Sequence, residues 1–188
     1  MNTTTTPGAH GVKWGIIIGV IYVILLYLRF NMGETNPLVF SGLAVVSFCV
    51  VVILLFVAGF NLRKKMGGYV ELKDAFKSLF YAVLIFELFY ALFNFIYLKY
   101  INPDFFYHFR DATEKLLVES KQSQAEIDKM LGQIDVDAPK NMGFFDFLKG
   151  YLFWVALTGA IAFVIALIVK RKPDPTTIQQ RDFLDSNS

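Results

Sequence analysis

The sequence predicts an all-α integral membrane protein, a four-helix transmembrane bundle with an additional amphipathic extracytoplasmic helix between spans three and four. Two observations predict this fold. Four apolar stretches are each long enough to cross a hydrocarbon core that is roughly 30 Å thick. In addition, 55% of the residues are hydrophobic and 18% are charged, with a mean hydropathy of +0.49. A soluble domain carries about 25% charged residues, so the composition also favours a membrane protein.

The predicted spans lie at about residues 12–30, 38–60, 78–100 and 147–169, within a single membrane domain at 11–172. The uncharged run of span one, from Trp14 to Leu28, is short, and it reaches full length only if Lys13 and Arg29 snorkel outward. A secretory signal peptide is the alternative. It is disfavoured because almost no positive charge precedes the run and no small-x-small cleavage site follows it.

The remaining elements follow from local composition. Span two begins after Pro37, a residue favoured in the first helical turn. Span three is rich in aromatic residues, and span four is rich in Ala and Gly. Residues 1–10 are predicted to be a disordered N-terminal tail and residues 173–188 a polar cytoplasmic tail.

Basic residues predict the orientation. Two dense clusters follow spans two and four: Arg63, Lys64, Lys65, Lys170, Arg171 and Lys172. With four spans, these clusters share one side of the membrane with the N-terminus. The positive-inside rule places that side in the cytoplasm, together with both termini. The lipid bilayer is the first expected partner, and these six residues are candidates for contact with anionic lipids.

The outer segment, at about residues 103–135, is predicted to form a helix. It starts at Pro103-Asp104, and the stretch from Phe105 to about Ile134 contains no internal proline. Apolar residues recur there at helical spacing, weakly so at residues 120–124. Packing on its own bundle and contact with a partner or a second copy are both open. The candidate partner surface comprises Phe109, Leu116, Ile127 and Leu131.

Small residues predict how the bundle closes. Gly11, Gly15 and Gly19 recur every four residues in span one, and two pairs in span four, Ala156 with Ala160 and Ala162 with Ala166, repeat this spacing. Such faces allow helix backbones to approach closely. The pattern favours packing of spans one and four within one chain, with dimerisation as the alternative.

Glu87 lies near the middle of span three, where a charged carboxylate costs at least about 2.5 kcal/mol. We therefore expect the neutral acid unless a cation lies nearby. Tyr90, Asn94 and Tyr97 share its face and complete a candidate polar seam. One interpretation is a proton or cation relay, or a substrate contact. Another is a structural carboxyl group bonded to one polar residue of a neighbouring helix, from the set Tyr22, Tyr27, Ser41, Ser47 and Thr158. A contact with a different protein is the third.

A family resemblance rests on several segments. The run GGYVELKDAFK at residues 67–77 opens the third membrane helix, which ends at Tyr97 to Pro103-Asp104-Phe105. With the Gly-rich first span and the Gly/Ala-rich final span before a Lys/Arg cluster, the chain resembles a bacterial membrane family, domain of unknown function 4199. The resemblance covers most of residues 10–172. It implies four spans and a bacterial inner membrane, and it supplies no activity, cofactor or catalytic residue.

No motif predicts catalysis, cofactor binding or a metal site. Cys49 has no partner for an intramolecular disulfide, His10 and His108 lack zinc-ligand spacing, and hydrolase and P-loop motifs are missing. The net charge of +2 does not indicate nucleic-acid binding. We therefore expect a non-enzymatic accessory or structural component of a membrane assembly, with a membrane protein partner or as a homo-oligomer. The alternative is a small transporter or ion-conducting oligomer that uses Glu87 as its titrating group.

Overall fold

A computed structural model describes residues 6–172, so the predicted tail at 173–188 lies outside the described residues. The helices are α1 (Pro7–Gly33), α2 (Pro37–Lys65), α3 (Leu72–Ile96), α4 (Phe105–Glu119), α5 (Gln124–Leu131), α6 (Ala138–Asn141) and α7 (Phe144–Val169). One π-helical turn, Tyr97–Ile101, extends α3. The all-α prediction is confirmed, and within residues 6–172 the only strand-like pairing is one bridge between Val70 and Arg171.

Four helices are long and apolar enough to cross a membrane: α1, α2, α3 with its π-helical turn, and α7. They extend past the predicted spans because charged residues continue the helices beyond the apolar runs. Arg63, Lys64 and Lys65 form the last turn of α2, where cations interact favourably with the helix dipole. We call the end of the bundle that carries these residues the basic end, and the opposite end, which carries α4 and α5, the loop end.

The predicted disordered tail is wrong for residues 7–10, which form the first turn of α1. The side chain of Thr6 accepts a hydrogen bond from the backbone N–H of Ala9, and Pro7 begins the helix. Both features stabilise a helix start. His10 is also buried, with 1% of its surface exposed, so tertiary contacts hold this turn in place.

The predicted packing of spans one and four on each other is wrong. The glycine face of α1 lies on α3, which in turn packs on α7, while α2 contacts both α1 and α7. A Cβ atom added to Gly11 would lie 2.1 Å from the carbonyl oxygen of Ser78, and one added to Gly15 would lie 2.8 Å from Ile85 Cβ. The two backbones therefore approach closely because glycine leaves the space open.

Ala156 and Ala160 face outward from the bundle and are exposed. The buried face of α7 passes instead through Val155 and Gly159, one residue earlier in each case, and it includes the second pair, Ala162 and Ala166. One residue turns a helix by about 100°, so a face that is one position out of register points to lipid. The i, i+4 spacing was present in the sequence, but it did not reveal which of two neighbouring stripes is buried.

The outer segment is a helical hairpin, so the prediction of one continuous helix is wrong. The chain reverses between α4 and α5, where Lys121 adopts a positive φ of 56°. A capping box then starts α5: the Ser123 side chain accepts from the backbone of Glu126, and the Glu126 side chain accepts from the backbone of Ser123. Polar residues at 120–124 thus end one helix and cap the next, which explains the weak apolar stripe there.

An aromatic cluster fixes this hairpin to the loop end of the bundle. Its members are Phe30, Phe40, Phe93, Tyr97, Leu98, Phe105, Phe106 and Phe109. The ring of Phe105 in α4 is fully buried and lies 4.9 Å from the ring of Phe30 in α1. Because burial of one such ring stabilises a contact by a few kcal/mol, the cluster holds α4 against the membrane helices.

Candidate functional site

The buried carboxyl group of Glu87 links α3 to α7. Only 4% of Glu87 is exposed, and its Oε1 lies 2.5 Å from the hydroxyl oxygen of Thr158, which is itself buried. Thr158 was one of the five partners considered from the sequence. The neighbouring Tyr151 hydroxyl donates elsewhere, to the carbonyl oxygen of Leu84.

The hydrogen-bond geometry at Thr158 fits a protonated Glu87. The Thr158 hydroxyl oxygen also lies 2.8 Å from the carbonyl oxygen of Trp154, one turn earlier in α7. A hydroxyl group has a single proton to donate. Both contacts are therefore hydrogen bonds at the same time only if the acid of Glu87 donates to Thr158 and Thr158 donates to Trp154. The site then contains a neutral, satisfied carboxyl group, which is the form that costs least in a membrane.

The rest of the predicted polar seam divides into separate contacts. Tyr90 stacks on Tyr22 of α1, with ring centres 5.2 Å apart. Asn94 uses its side-chain amide within its own helix, where it donates to the carbonyl oxygen of Tyr90. Tyr97 stacks on Phe30 in the aromatic cluster. The structure thus places Glu87 and Tyr90 toward the bundle interior, whereas Asn94 and Tyr97 serve local and packing contacts.

Arg29 is a charged group that is partly buried at the contact of α1 with α2, and the sequence analysis missed this position. Instead of snorkelling outward, its guanidinium carbon lies 3.9 Å above the ring of Phe40. Its Nε is buried and has no hydrogen-bond acceptor within residues 6–172. The guanidinium is within electrostatic range of the phenol groups of Tyr22 and Tyr90. The available signal was the seven-residue separation of Tyr22 and Arg29, which puts both on one helix face.

His10 is a further buried polar group that the sequence analysis missed, because it was assigned to the tail. Its Nδ1 lies 3.0 Å from the Ser78 hydroxyl oxygen and its Nε2 lies 3.1 Å from the Asn61 side-chain oxygen. An amide oxygen only accepts, so Nε2 donates to Asn61, and a neutral ring accepts from Ser78 at Nδ1. This histidine joins α1, α2 and α3 at the basic end. The Thr6-Pro7 helix start was the signal that could have placed it in a helix.

At the loop end, a groove of about 630 Å³ lies between α4 and the connection from α1 to α2. The residues that line it are Thr35, Asn36, Pro37, Leu38, His108, Asp111, Ala112, Lys115, Leu116 and Glu119. Nδ1 of His108, one of these lining residues, lies 2.5 Å from a carboxylate oxygen of Glu34. This hydrogen bond raises the pKa of His108 above its ordinary value, and the negative charge of Glu34 acts in the same direction.

The predicted partner surface is largely used within the chain. Ile127 and Leu131 are buried, with 3% and 7% of their surfaces exposed, so the prediction that they contact a partner is wrong for this structure. Phe109 packs on Phe40, with ring centres 5.0 Å apart, and the half-buried Leu116 lines the groove. The apolar stripe closes the hairpin and docks it, because buried apolar contacts between two short helices are what stabilise them.

The two basic clusters lie at the same end of the bundle, the basic end. Val70 and Arg171 exchange two backbone hydrogen bonds of 3.0 Å, which join the turn after α2 to the end of α7. Gly67 and Gly68, at φ of 83° and 92°, form the turn that allows this pairing. Within residues 6–172, no group of three His, Cys, Asp or Glu side chains is placed to hold a metal ion.

Four long apolar helices packed around buried polar contacts define a multi-pass integral membrane protein. The family described as "Protein of unknown function (DUF4199)" matches residues 13–171, and the chain belongs to this family. The resemblance drawn from residues 67–77 and from the first and last spans is therefore confirmed. Comparison with curated proteins and with solved structures gives no match.

Proposed function

We propose that this protein is a non-enzymatic accessory or structural component of a membrane assembly in the bacterial inner membrane. The observation that supports this role is the docked hairpin α4–α5. Phe105 is fully buried in the aromatic cluster, which fixes the hairpin to the ends of the membrane helices. A preorganised surface binds a partner without the entropic cost of ordering it first.

The proposed orientation places both termini in the cytoplasm and the hairpin outside. The support is the density of Lys and Arg next to the membrane at the basic end, because the positive-inside rule counts such residues close to the ends of spans. The hairpin has charges of both signs spread along its length. It therefore provides no competing signal for the opposite orientation.

The proposed contact lies on the exposed apolar side chains of the hairpin. Val118 and Met130 are 58% and 47% exposed. Exposed apolar residues at a defined surface outside the membrane are candidates for burial by a partner. This assignment replaces the buried Ile127 and Leu131 of the sequence-based surface.

A pull-down from the native membrane tests this role. The tagged protein is extracted in a mild detergent, and its companions are quantified by mass spectrometry. We expect one companion at a constant ratio, and we expect its loss from the double variant Val118→Asp, Met130→Asp. Gln133→Asp adds a negative charge at an exposed polar position of the same segment and should leave binding unchanged. Recovery of the protein alone, or equal binding by the double variant, would contradict the proposal.

A second candidate is a small transporter or ion-conducting oligomer, which the inward position of Arg29 favours. Tyr22 and Tyr90 lie within electrostatic range of both Arg29 and Glu87. Polar and charged side chains thus extend from the loop end toward Glu87 at the bundle centre, where intramembrane polar residues typically mark an ion pathway. In proteoliposomes, Glu87→Gln should abolish proton-coupled flux while the fold is kept, and Glu71→Gln at the exposed start of α3 should not. Equal flux in the two variants would exclude this candidate.

A further inference from the structure

The groove at the loop end has a charged wall on α4. Asp111, Lys115 and Glu119 follow one another at four-residue intervals and all line the groove. This spacing places them on one helix face, one turn apart. The wall therefore alternates a carboxylate, an ammonium group and a carboxylate along about two turns of helix.

These three charges are available to a ligand. Within residues 6–172, none of the three forms an ion pair within 4.0 Å or a side-chain hydrogen bond. The nearby histidine, His108, already has Glu34 as its partner. Within residues 6–172, the groove thus contains two carboxylates and one ammonium group that have no close side-chain partner, and Asp111 also interacts electrostatically with His108 of the same lining.

The opposite side of the groove lies where the chain enters the membrane. Pro37 and Leu38 form the first turn of the membrane helix α2, and Leu38 is 67% exposed. Ala112 and Leu116 of α4 add further apolar surface to the lining. The polar wall and this apolar lining thus meet where the predicted span two begins, which is the level at which headgroups are expected to join acyl chains.

We propose that the groove binds the headgroup of a zwitterionic aminophospholipid. The lipid ammonium group donates to one of the two flanking carboxylates, Asp111 or Glu119, and its phosphate accepts from Lys115, one turn away on α4. The first carbons of an acyl chain lie on Leu38. Charge-assisted hydrogen bonds of this kind are the strong ones. An ethanolamine headgroup fits better than choline, whose quaternary nitrogen has no N–H to donate. A headgroup with a net negative charge meets two carboxylates and binds more weakly. This site is independent of the proposed partner.

Native mass spectrometry of the full-length protein tests this site. The protein is released from nanodiscs that contain equimolar phosphatidylethanolamine, phosphatidylcholine and phosphatidylglycerol, and its retained lipids are counted. We expect phosphatidylethanolamine to be retained about tenfold more than either competitor, a difference of about 1.4 kcal/mol. The double variant Asp111→Asn, Glu119→Gln should lose this preference. Lys115→Gln should lower total retention, whereas Arg110→Gln, an exposed position outside the groove lining, should not.

The controls separate the outcomes. Equal retention of the three lipids, or an unchanged preference in the double variant, would overturn the proposal. Soluble glycerophosphoethanolamine tests whether the ligand is a lipid, because it has the headgroup without acyl chains. If it displaces the bound lipid at equal concentration, the site takes a free phosphodiester and the lipid assignment is wrong. Thermal unfolding of each variant shows whether it is folded. If the double variant is unfolded, the lower total lipid retention expected for Lys115→Gln tests the site independently.

Discussion

The close contact of α1 with α3 gives a prediction whose size follows from the structure. Gly11→Ala places a methyl group 2.1 Å from the carbonyl oxygen of Ser78, whereas ordinary contacts begin at 3.4 Å. The two backbones must therefore separate by about 1.3 Å at this point, and the adjacent His10 must move with α1. Since the obstacle is backbone, a change of side-chain rotamer does not relieve the clash.

The expected cost is about 1–3 kcal/mol, the usual range for overpacking a tight interface. Gly19→Ala should cost less than Gly11→Ala, because its nearest neighbour at 2.9 Å is a side-chain atom, Cγ of Phe89, and not a backbone atom. Gly42→Ala provides the matched control on α2, since an added Cβ there meets nothing within 4 Å. The control should change stability by less than about 1 kcal/mol, in the stabilising direction that alanine gives to a helix.

Stability is measured as reversible unfolding of the purified protein in mixed micelles with increasing SDS, followed by tryptophan fluorescence. We expect the SDS fraction at the unfolding midpoint to be lowest for Gly11→Ala, higher for Gly19→Ala and highest for Gly42→Ala. If Gly11→Ala unfolds at the same SDS fraction as Gly42→Ala, the close approach of α1 to α3 is refuted. Dimerisation through the glycines would instead give a loss of stability that depends on protein concentration.

Three further predictions concern the loop end and the basic end. The pKa of His108 is raised above 6.5, so its ion pair with Glu34 should stabilise the docked hairpin fully below pH 6.5 and lose this effect as the pH rises through the raised pKa. Proteolysis of the hairpin should accelerate over that rise, and a Glu34→Gln variant that keeps the same pH profile would contradict the assignment. Phe105→Ala should destabilise the docked hairpin by about 3–5 kcal/mol, seen as faster hydrogen exchange in α4. Phe144→Ala, at a residue that is 67% exposed, should have little effect, and equal exchange in the two variants would refute the anchoring role. Gly67→Ala should lower stability in thermal unfolding by about 1 kcal/mol, because φ is 83° there and disfavours any Cβ; an unchanged midpoint would argue against this turn.

Hydropathy predicted the membrane helices because each span must bury its own backbone polar groups in lipid, so the signal is local and strong. The neutral, paired state of Glu87 was also predictable, since a charge at that depth is costly. The same reasoning failed for Arg29, because snorkelling and burial over an aromatic ring are both open to a long side chain one turn from the helix end. Only the position of Phe40 on α2 decides between them.

The sequence by itself determined four membrane helices, a polar outer segment, a carboxyl group at mid-membrane and the family to which the chain belongs. These properties depend on residue type and on position along one helix. The tertiary structure decided that the glycines of α1 face α3, that the apolar stripe of the outer segment closes a hairpin, and that Asp111, Lys115 and Glu119 face a groove at the loop end. Such choices depend on which neighbour lies beside each face. In lipid, two faces of similar polarity on one helix differ mainly in how closely the next helix fits.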